Sequence, residues 1–230
     1  MNIVFEGIDA SGKTTIIRKL SAMLDKKGIK NQTIADIKEP TPLLPVFEKM
    51  FDSNFLELDE QFKTSIYQTL LFACSHFYVQ EKNMNNSHIT IYDRDIFTLF
   101  SYQKEFLKKE YPSDYQKFYE PFKKMMMFHN KKIDFIIYVS IPIEENIKRK
   151  INRDGLQFSE EERQNLYNFK KNIEAEIQSY VQEHPGTILI CLDGREKPEV
   201  NCNKILEKMA PTFKNTKVDT TADYDDEYEI

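Results

Sequence analysis

Cysteine is scarce: Cys74, Cys191 and Cys202 are three in 230 residues, an odd number with no CxxC spacing. That pattern argues against a disulfide framework and against a zinc site, and two of the three lie in apolar stretches where Cys acts as a small hydrophobe. Long apolar runs are also missing. The longest strongly apolar stretch, Phe135 to Val139, is far short of the roughly 20 residues that a membrane-spanning helix needs, so no membrane partner is expected. The opening residues, MNIVFEGIDA, carry no basic n-region followed by a long apolar h-region, and a cytoplasmic location is expected. Nor is there a surplus of positive charge. The net charge of −5 is carried by six acidic residues after Lys217 (Asp219, Asp223, Asp225, Asp226, Glu227 and Glu229); without them the rest stands at about +1. A near-neutral body lacks the basic excess of a nucleic-acid binder, and no nucleic-acid partner is expected.

What remains is a soluble, globular composition: 40% apolar, 30% charged, mean hydropathy −0.57. The length suits one large α/β domain that buries its core without staples. Periodicity predicts a strand over Asn2 to Glu6, a helix carrying Ile16, Ile17, Leu20 and Leu24 that is closed by Gly28, and a second strand ending near Ile37. The prolines of KEPTPLLP force a loop before a helix from about Val46. A long amphipathic helix is predicted over 60–82, a third strand over Ile89 to Tyr92 ending at Asp93, and a helix from Ile96 to Lys109. DFIIYVSI, residues 134–141, reads as a buried strand, and Pro142 sits where the helix IEENIKRKINRD could begin. Ser159 and Glu162 have the spacing of a capping box and open a helix to about Glu183. A fifth strand over Ile188 to Leu192 and a helix from Pro198 to Met209 complete the pattern, and residues 214–230 are expected to form a disordered acidic tail. Alternating strands and helices predict a parallel five-stranded sheet covered on both faces, with ligands at the C-terminal ends of its strands.

The strongest chemical signal is Gly7 to Thr14, GIDASGKT, which matches G-x-x-x-x-G-K-[ST] between a strand and a helix. Glycines let successive N–H groups turn inward onto phosphate oxygens, and the helix N-terminus adds partial positive charge. Gly7, Ile8, Asp9, Ala10, Ser11, Gly12, Lys13, Thr14 and Thr15 are therefore expected to bind ATP, with Lys13 on the β- and γ-phosphates and Thr14 on Mg²⁺. A phosphate loop alone leaves the acceptor open.

The acceptor-side motifs resemble those of the thymidylate kinase family of P-loop nucleoside monophosphate kinases, across most of residues 3–209. FEGIDASGKTT carries that family's acidic loop residue at Asp9, Lys38-Glu39-Pro40 is similar to its R-E-P, and Asp93-Arg94 followed by Tyr102-Gln103 has the spacing of its D-R and Y-Q pairs. IPIEENIKRKINRDG resembles its lid, expected over about 149–160, with Arg149 and Arg153 at the phosphate-grasping positions, and LDG at 192–194 resembles its late I-D-A. The resemblance implies a three-layer P-loop kinase fold over 1–213 and transfer of the γ-phosphate of ATP to dTMP or a related pyrimidine deoxynucleotide. It further implies a homodimer.

It also implies residue roles: Asp9 near the acceptor sugar, Lys38, Glu39 and Pro40 lining the acceptor site, Phe72 stacking on the base, and Tyr102 disfavouring ribonucleotides. His76 stands where the family has a base-reading arginine, and Leu99 where a small polar residue is usual, so the base preference stays open. Chemically, Arg94 can clamp an acceptor phosphate, Arg149 and Arg153 can stabilise the transferring phosphoryl group, and Asp93 can hold Mg²⁺ or orient Arg94. Asp93 is alternatively the N-cap of the helix that begins near Ile96. Two other functions fit the residues: a deoxynucleoside kinase using Glu39 as base on a 5′-hydroxyl, or a non-catalytic nucleotide-binding module. The lysine pairs at 26–27 and 131–132 read as solvated faces.

Overall fold

The computed structural model describes residues 1–35, 42, 65–83, 89–129, 131–155 and 157–215. Its five strands are β1 (Asn2–Glu6), β2 (Asn31–Ile34), β3 (Ile89–Asp93), β4 (Phe135–Ser140) and β5 (Ile188–Asp193). They form one sheet in the order β2-β3-β1-β4-β5, and each pairing is parallel. The described helices are α1 (Lys13–Lys26), α2 (Ser65–Asn83), α3 (Ile96–Glu110), α4 (Tyr115–His129), α5 (Ile143–Asp154), α6 (Glu160–Glu183) and α7 (Pro198–Asn215).

The period-two alternation of the strands explains the three layers. On β1, Ile3 and Phe5 face α1 and α7, where they join Ile16, Ile17, Leu20, Leu24, Ile205 and Met209. Val4 points the other way, into a cluster with Phe97 and Phe100 of α3, Tyr119 and Phe122 of α4 and Ile173 and Ile177 of α6. Both faces of the sheet are thus covered, which is why its central strands read as continuous apolar runs.

Most predicted elements lie where periodicity put them. The capping box is complete: Glu162 N–H donates to the Ser159 hydroxyl, and the Ser159 backbone N–H donates to the Glu162 carboxylate. The N-cap of α3 is Asp95, whose side chain accepts from the Ile96 N–H at 2.8 Å, so Asp93 is free for other partners. The last helix does not stop at Met209 but continues past Pro211 to Asn215, two residues into the segment expected to be tail. Pro211 stands inside that helix, where its missing N–H removes one i→i−4 backbone bond. Of the cysteines only Cys202 is buried; Cys74 and Cys191 are exposed. Residues 36–41, which include Ile37 and the Lys38-Glu39-Pro40 motif, lie outside the described residues, as do the expected helix start at Val46, residues 60–64 and 216–230. No described helix is long and apolar enough to cross a membrane.

The register places the ends of β1, β3, β4 and β5 along one edge, with Phe5 beside Asp93 and Ser140 beside Asp193. That C-terminal edge is where parallel sheets bind ligands, and the loops leaving it carry the motifs found in the sequence.

Candidate active site

The phosphate loop leaves β1 through three residues with positive φ, Gly7 at 139°, Ala10 at 60° and Gly12 at 101°. A Cβ on Gly7 would lie 2.3 Å from the Val139 carbonyl oxygen on the neighbouring strand, so only glycine fits there. Ile8 and Ser11 are buried, Thr14 and Thr15 are exposed at the start of α1, and the Lys13 ammonium donates to the carbonyls of Gly7 (2.8 Å) and Ile8 (3.0 Å). Burial first, and then the positive charge of Arg94, push Lys13 down to about 7 against the pull of Asp93, Glu6 and Asp9. An incoming phosphate would supply the counter-charge this ammonium needs.

At the end of β3, Asp93 accepts a 2.8 Å hydrogen bond from the Thr14 hydroxyl. Two hard oxygen ligands from the expected pair are therefore together, a donor set that suits Mg²⁺ completed by phosphate oxygens and water. Arg94 has φ 80°, a left-handed conformation that costs a non-glycine residue about 1–2 kcal/mol. That backbone aims its guanidinium at the phosphate loop, where Nη1 donates to the Gly7 carbonyl (3.1 Å) and to the Thr98 hydroxyl (3.3 Å), and Nη2 lies 3.9 Å from Asp9.

Helix α5 brings the other two arginines to the same loop. Arg149 donates to the carbonyls of Ala10 (3.4 Å) and Gly194 (3.1 Å) and is steadied by Glu145, one turn earlier on the helix, at 3.0 Å. Arg153, four residues on and on the same face, donates to Asp9 at 2.8 Å and also pairs with Asp154. Lys150, by contrast, lies over the Phe158 ring. Burial would raise the Asp9 carboxyl, but the Arg153 hydrogen bond and the charges of Arg94, Arg153 and Lys13 hold it well below the usual carboxylate range.

The expected base-side residues lie deeper. Phe72 and Leu99 share the α2–α3 side of the core, and His76, also buried, has Nδ1 3.6 Å from Asp95. Tyr102 is buried with its ring stacked 4.1 Å from that of Phe169 on α6. Gln103 accepts a 2.6 Å bond from the Thr69 hydroxyl and ties α3 to α2. Lys38, Glu39 and Pro40 lie outside the described residues.

Four residues of the site escaped the sequence reading. Gly194, where a Cβ would sit 2.1 Å from the Ser11 carbonyl oxygen, lets the loop after β5 press against the phosphate loop. The Asn146 side-chain amide donates to the Asp9 backbone carbonyl. Glu6, fully buried at the end of β1, accepts from the Asp95 N–H (2.9 Å), the Thr98 N–H (3.2 Å) and the Thr98 hydroxyl (2.5 Å). Burial pushes its carboxyl up to about 7, against the lowering effects of the Thr98 bond and Arg94. Lys131 is not solvated as its sequence suggested: its ammonium pairs with buried Asp95 at 2.6 Å and lies 3.6 Å from the Tyr92 ring centroid. Lys131 carries no local signal; Glu6, Asn146 and Gly194 sit within FEGIDASGKTT, IPIEENIKRKINRDG and LDG, and only the packing assigns them a role.

Residues 3–213 match the family model for deoxynucleoside kinases. The chain belongs to that family. A thymidylate kinase of Ureaplasma parvum is 25% identical to this kinase over 221 residues, 94% of this chain and 91% of that one. A probable thymidylate kinase of Methanobrevibacter smithii is 32% identical over 106 residues, and that match spans 45% of this chain and only 52% of the archaeal one. The fold is that of a solved deoxyadenosine kinase from M. mycoides with bound dATP, with a TM-score of 0.62, 18% identity, and 91% of this chain and 100% of the other covered. This kinase is a thymidylate kinase-like P-loop enzyme, an ATP-dependent phosphotransferase acting on nucleosides or nucleotides.

Proposed function

We propose that this kinase transfers the γ-phosphate of Mg-ATP to dTMP, or to a closely related pyrimidine deoxynucleoside monophosphate, giving the diphosphate. The observation that carries this reading is the convergence of Arg94, Arg153 and Lys13 on Asp9, between the phosphate loop and the acceptor motifs. Asp154 pairs with Arg153 and Asp93 lies near Lys13, but Arg94 stands 3.9 Å from Asp9, beyond hydrogen-bond distance, so its guanidinium can take an acceptor that brings its own anion.

In this reading Lys13 and the N–H groups of the phosphate loop hold the donor phosphates, and Arg94 clamps the acceptor phosphate. Arg149 and Arg153 neutralise charge that develops on the transferring group. Thr14 and Asp93 would hold Mg²⁺, which would supply positive charge to neutralise the donor phosphates. A phosphate acceptor is already anionic near neutral pH, so no general base is needed and catalysis is positioning plus electrostatics. Phe72, His76 and Leu99 shape the base side, Tyr102 the sugar side, and Gln103 holds α3 to α2 behind them. A homodimer accompanies this reading on resemblance alone.

The second reading, a nucleoside acceptor, is favoured by the family to which the chain belongs. It requires a carboxylate to take the proton of a 5′-hydroxyl, and Glu39 is the candidate. The pH–rate profile of Glu39→Gln separates the two. On the monophosphate reading the variant loses activity without losing the shape of the profile; a large drop in kcat/KM whose residual activity no longer shows the acid limb would make Glu39 a base and the acceptor a nucleoside.

A further inference from the structure

The Asp93–Arg94–Asp95 turn is held by a residue from another strand. Glu6 is the last residue of β1 and immediately precedes Gly7 of the phosphate loop. Its carboxylate reaches across to the start of α3 and takes two backbone N–H groups there, Asp95 at 2.9 Å and Thr98 at 3.2 Å. These belong to the set of N–H groups that a helix start leaves without partners, and a carboxylate there is also favoured by the helix dipole.

Thr98 links this carboxylate to the arginine. Its hydroxyl has one proton, given to Glu6 Oε2 at 2.5 Å, and its lone pair accepts from Arg94 Nη1 at 3.3 Å. The same Arg94 nitrogen donates to the carbonyl of Gly7, the residue after Glu6, at 3.1 Å. Glu6, Thr98, Arg94 and Gly7 therefore close a ring of contacts that joins the start of the donor loop to the acceptor-side arginine. Arg94 pays for its left-handed backbone within this ring.

We propose that Glu6 is a positioning residue for phosphoryl transfer: through Thr98 and the start of α3 it sets the direction of the Arg94 guanidinium relative to the phosphate loop. The proposal rests on Arg94 being the acceptor clamp. Glu6 touches neither substrate; its effect reaches the reaction through Arg94. Loss of the relay frees Arg94 to turn while the loop that binds ATP stays formed, so the defect falls on the acceptor.

The test compares Thr98→Val, Thr98→Ser and Glu6→Gln with Arg94→Ala in steady-state assays on the full chain, varying ATP and dTMP separately, after thermal melting shows which variants fold. Thr98→Val and Glu6→Gln are expected to raise the acceptor KM about tenfold and lower kcat, with the ATP KM changed less than about twofold, and Thr98→Ser to restore the parent values. If Glu6→Gln does not fold, Thr98→Val and Thr98→Ser carry the comparison. The proposal is overturned if folded Thr98→Val keeps the parent acceptor KM and kcat, or if the KM values for ATP and acceptor rise together. An Arg94→Ala variant with unchanged acceptor KM would remove the premise that Arg94 is the clamp, and that result is distinct from a silent Thr98→Val beside a crippled Arg94→Ala.

Discussion

The Thr14 hydroxyl and the Asp93 carboxylate, 79 residues apart in the chain, are joined by a hydrogen bond of 2.8 Å. The bond stitches the helix that begins in the phosphate loop to the strand that ends in the acceptor motif. It also brings together two oxygen ligands where a magnesium ion bound to donor phosphates is expected. Asp93→Asn keeps the shape and removes the charge, so the Mg²⁺ concentration for half-maximal activity should rise about tenfold or more. A magnesium titration of the variant checks this, and an unchanged midpoint would take Asp93 out of the metal site.

Arg153 and Asp9 separate catalysis from stability. Their 2.8 Å ion pair is half exposed on the arginine side, and such pairs contribute about 0–1 kcal/mol to folding. Removing a cation from a transferring phosphoryl group costs about 100-fold or more in rate. Arg153→Ala should therefore lose at least about two orders of magnitude in kcat while its melting temperature moves by no more than a few degrees. A large drop in melting temperature with mild kinetics would mark the pair as structural.

Gly194→Ala tests the contact between the loop after β5 and the phosphate loop. The new Cβ would lie 2.1 Å from the backbone oxygen of Ser11, closer than any real contact, so one loop must move. The expected result is a raised ATP KM and a loss of stability on the order of 1–3 kcal/mol, measured by denaturant titration. Parent values for both would show that the two loops shift apart without consequence.

Glu6 gives a pH signature. Its carboxyl rises from 4.5 to about 7 on folding, with burial as the main cause, so between those values the folded state holds more proton than the unfolded one. Its contribution to stability is thus fully present below about pH 4.5 and is lost as the pH rises through about 7. The unfolding free energy of the parent minus that of Glu6→Gln should fall across this window by about 3 kcal/mol and flatten above it. Denaturant titrations of both proteins at a series of pH values measure the difference; a flat curve would refute the assignment.

What the sequence made legible was local. The phosphate loop, Asp93-Arg94 and the two arginines of α5 are short spacings on single elements, and the structure brings all of them to one edge of the sheet. The layers followed from strand and helix periods for the same reason. Lys131 was misread because its partner, Asp95, is 36 residues away and only the packing of α4 against α3 makes a buried ion pair. Glu6 looked like the last residue of an apolar strand because its ligands come from a helix start 92 residues on.

The most direct test of the central claim is a comparison of kcat/KM for dTMP and thymidine, with Mg-ATP as donor and ADP release as the readout, extended to dUMP, dCMP, deoxyadenosine and dAMP. The cationic cluster around Asp9 predicts turnover of monophosphates and little or none of the nucleosides, and the panel then ranks the bases. Faster phosphorylation of thymidine or deoxyadenosine than of any monophosphate would contradict it.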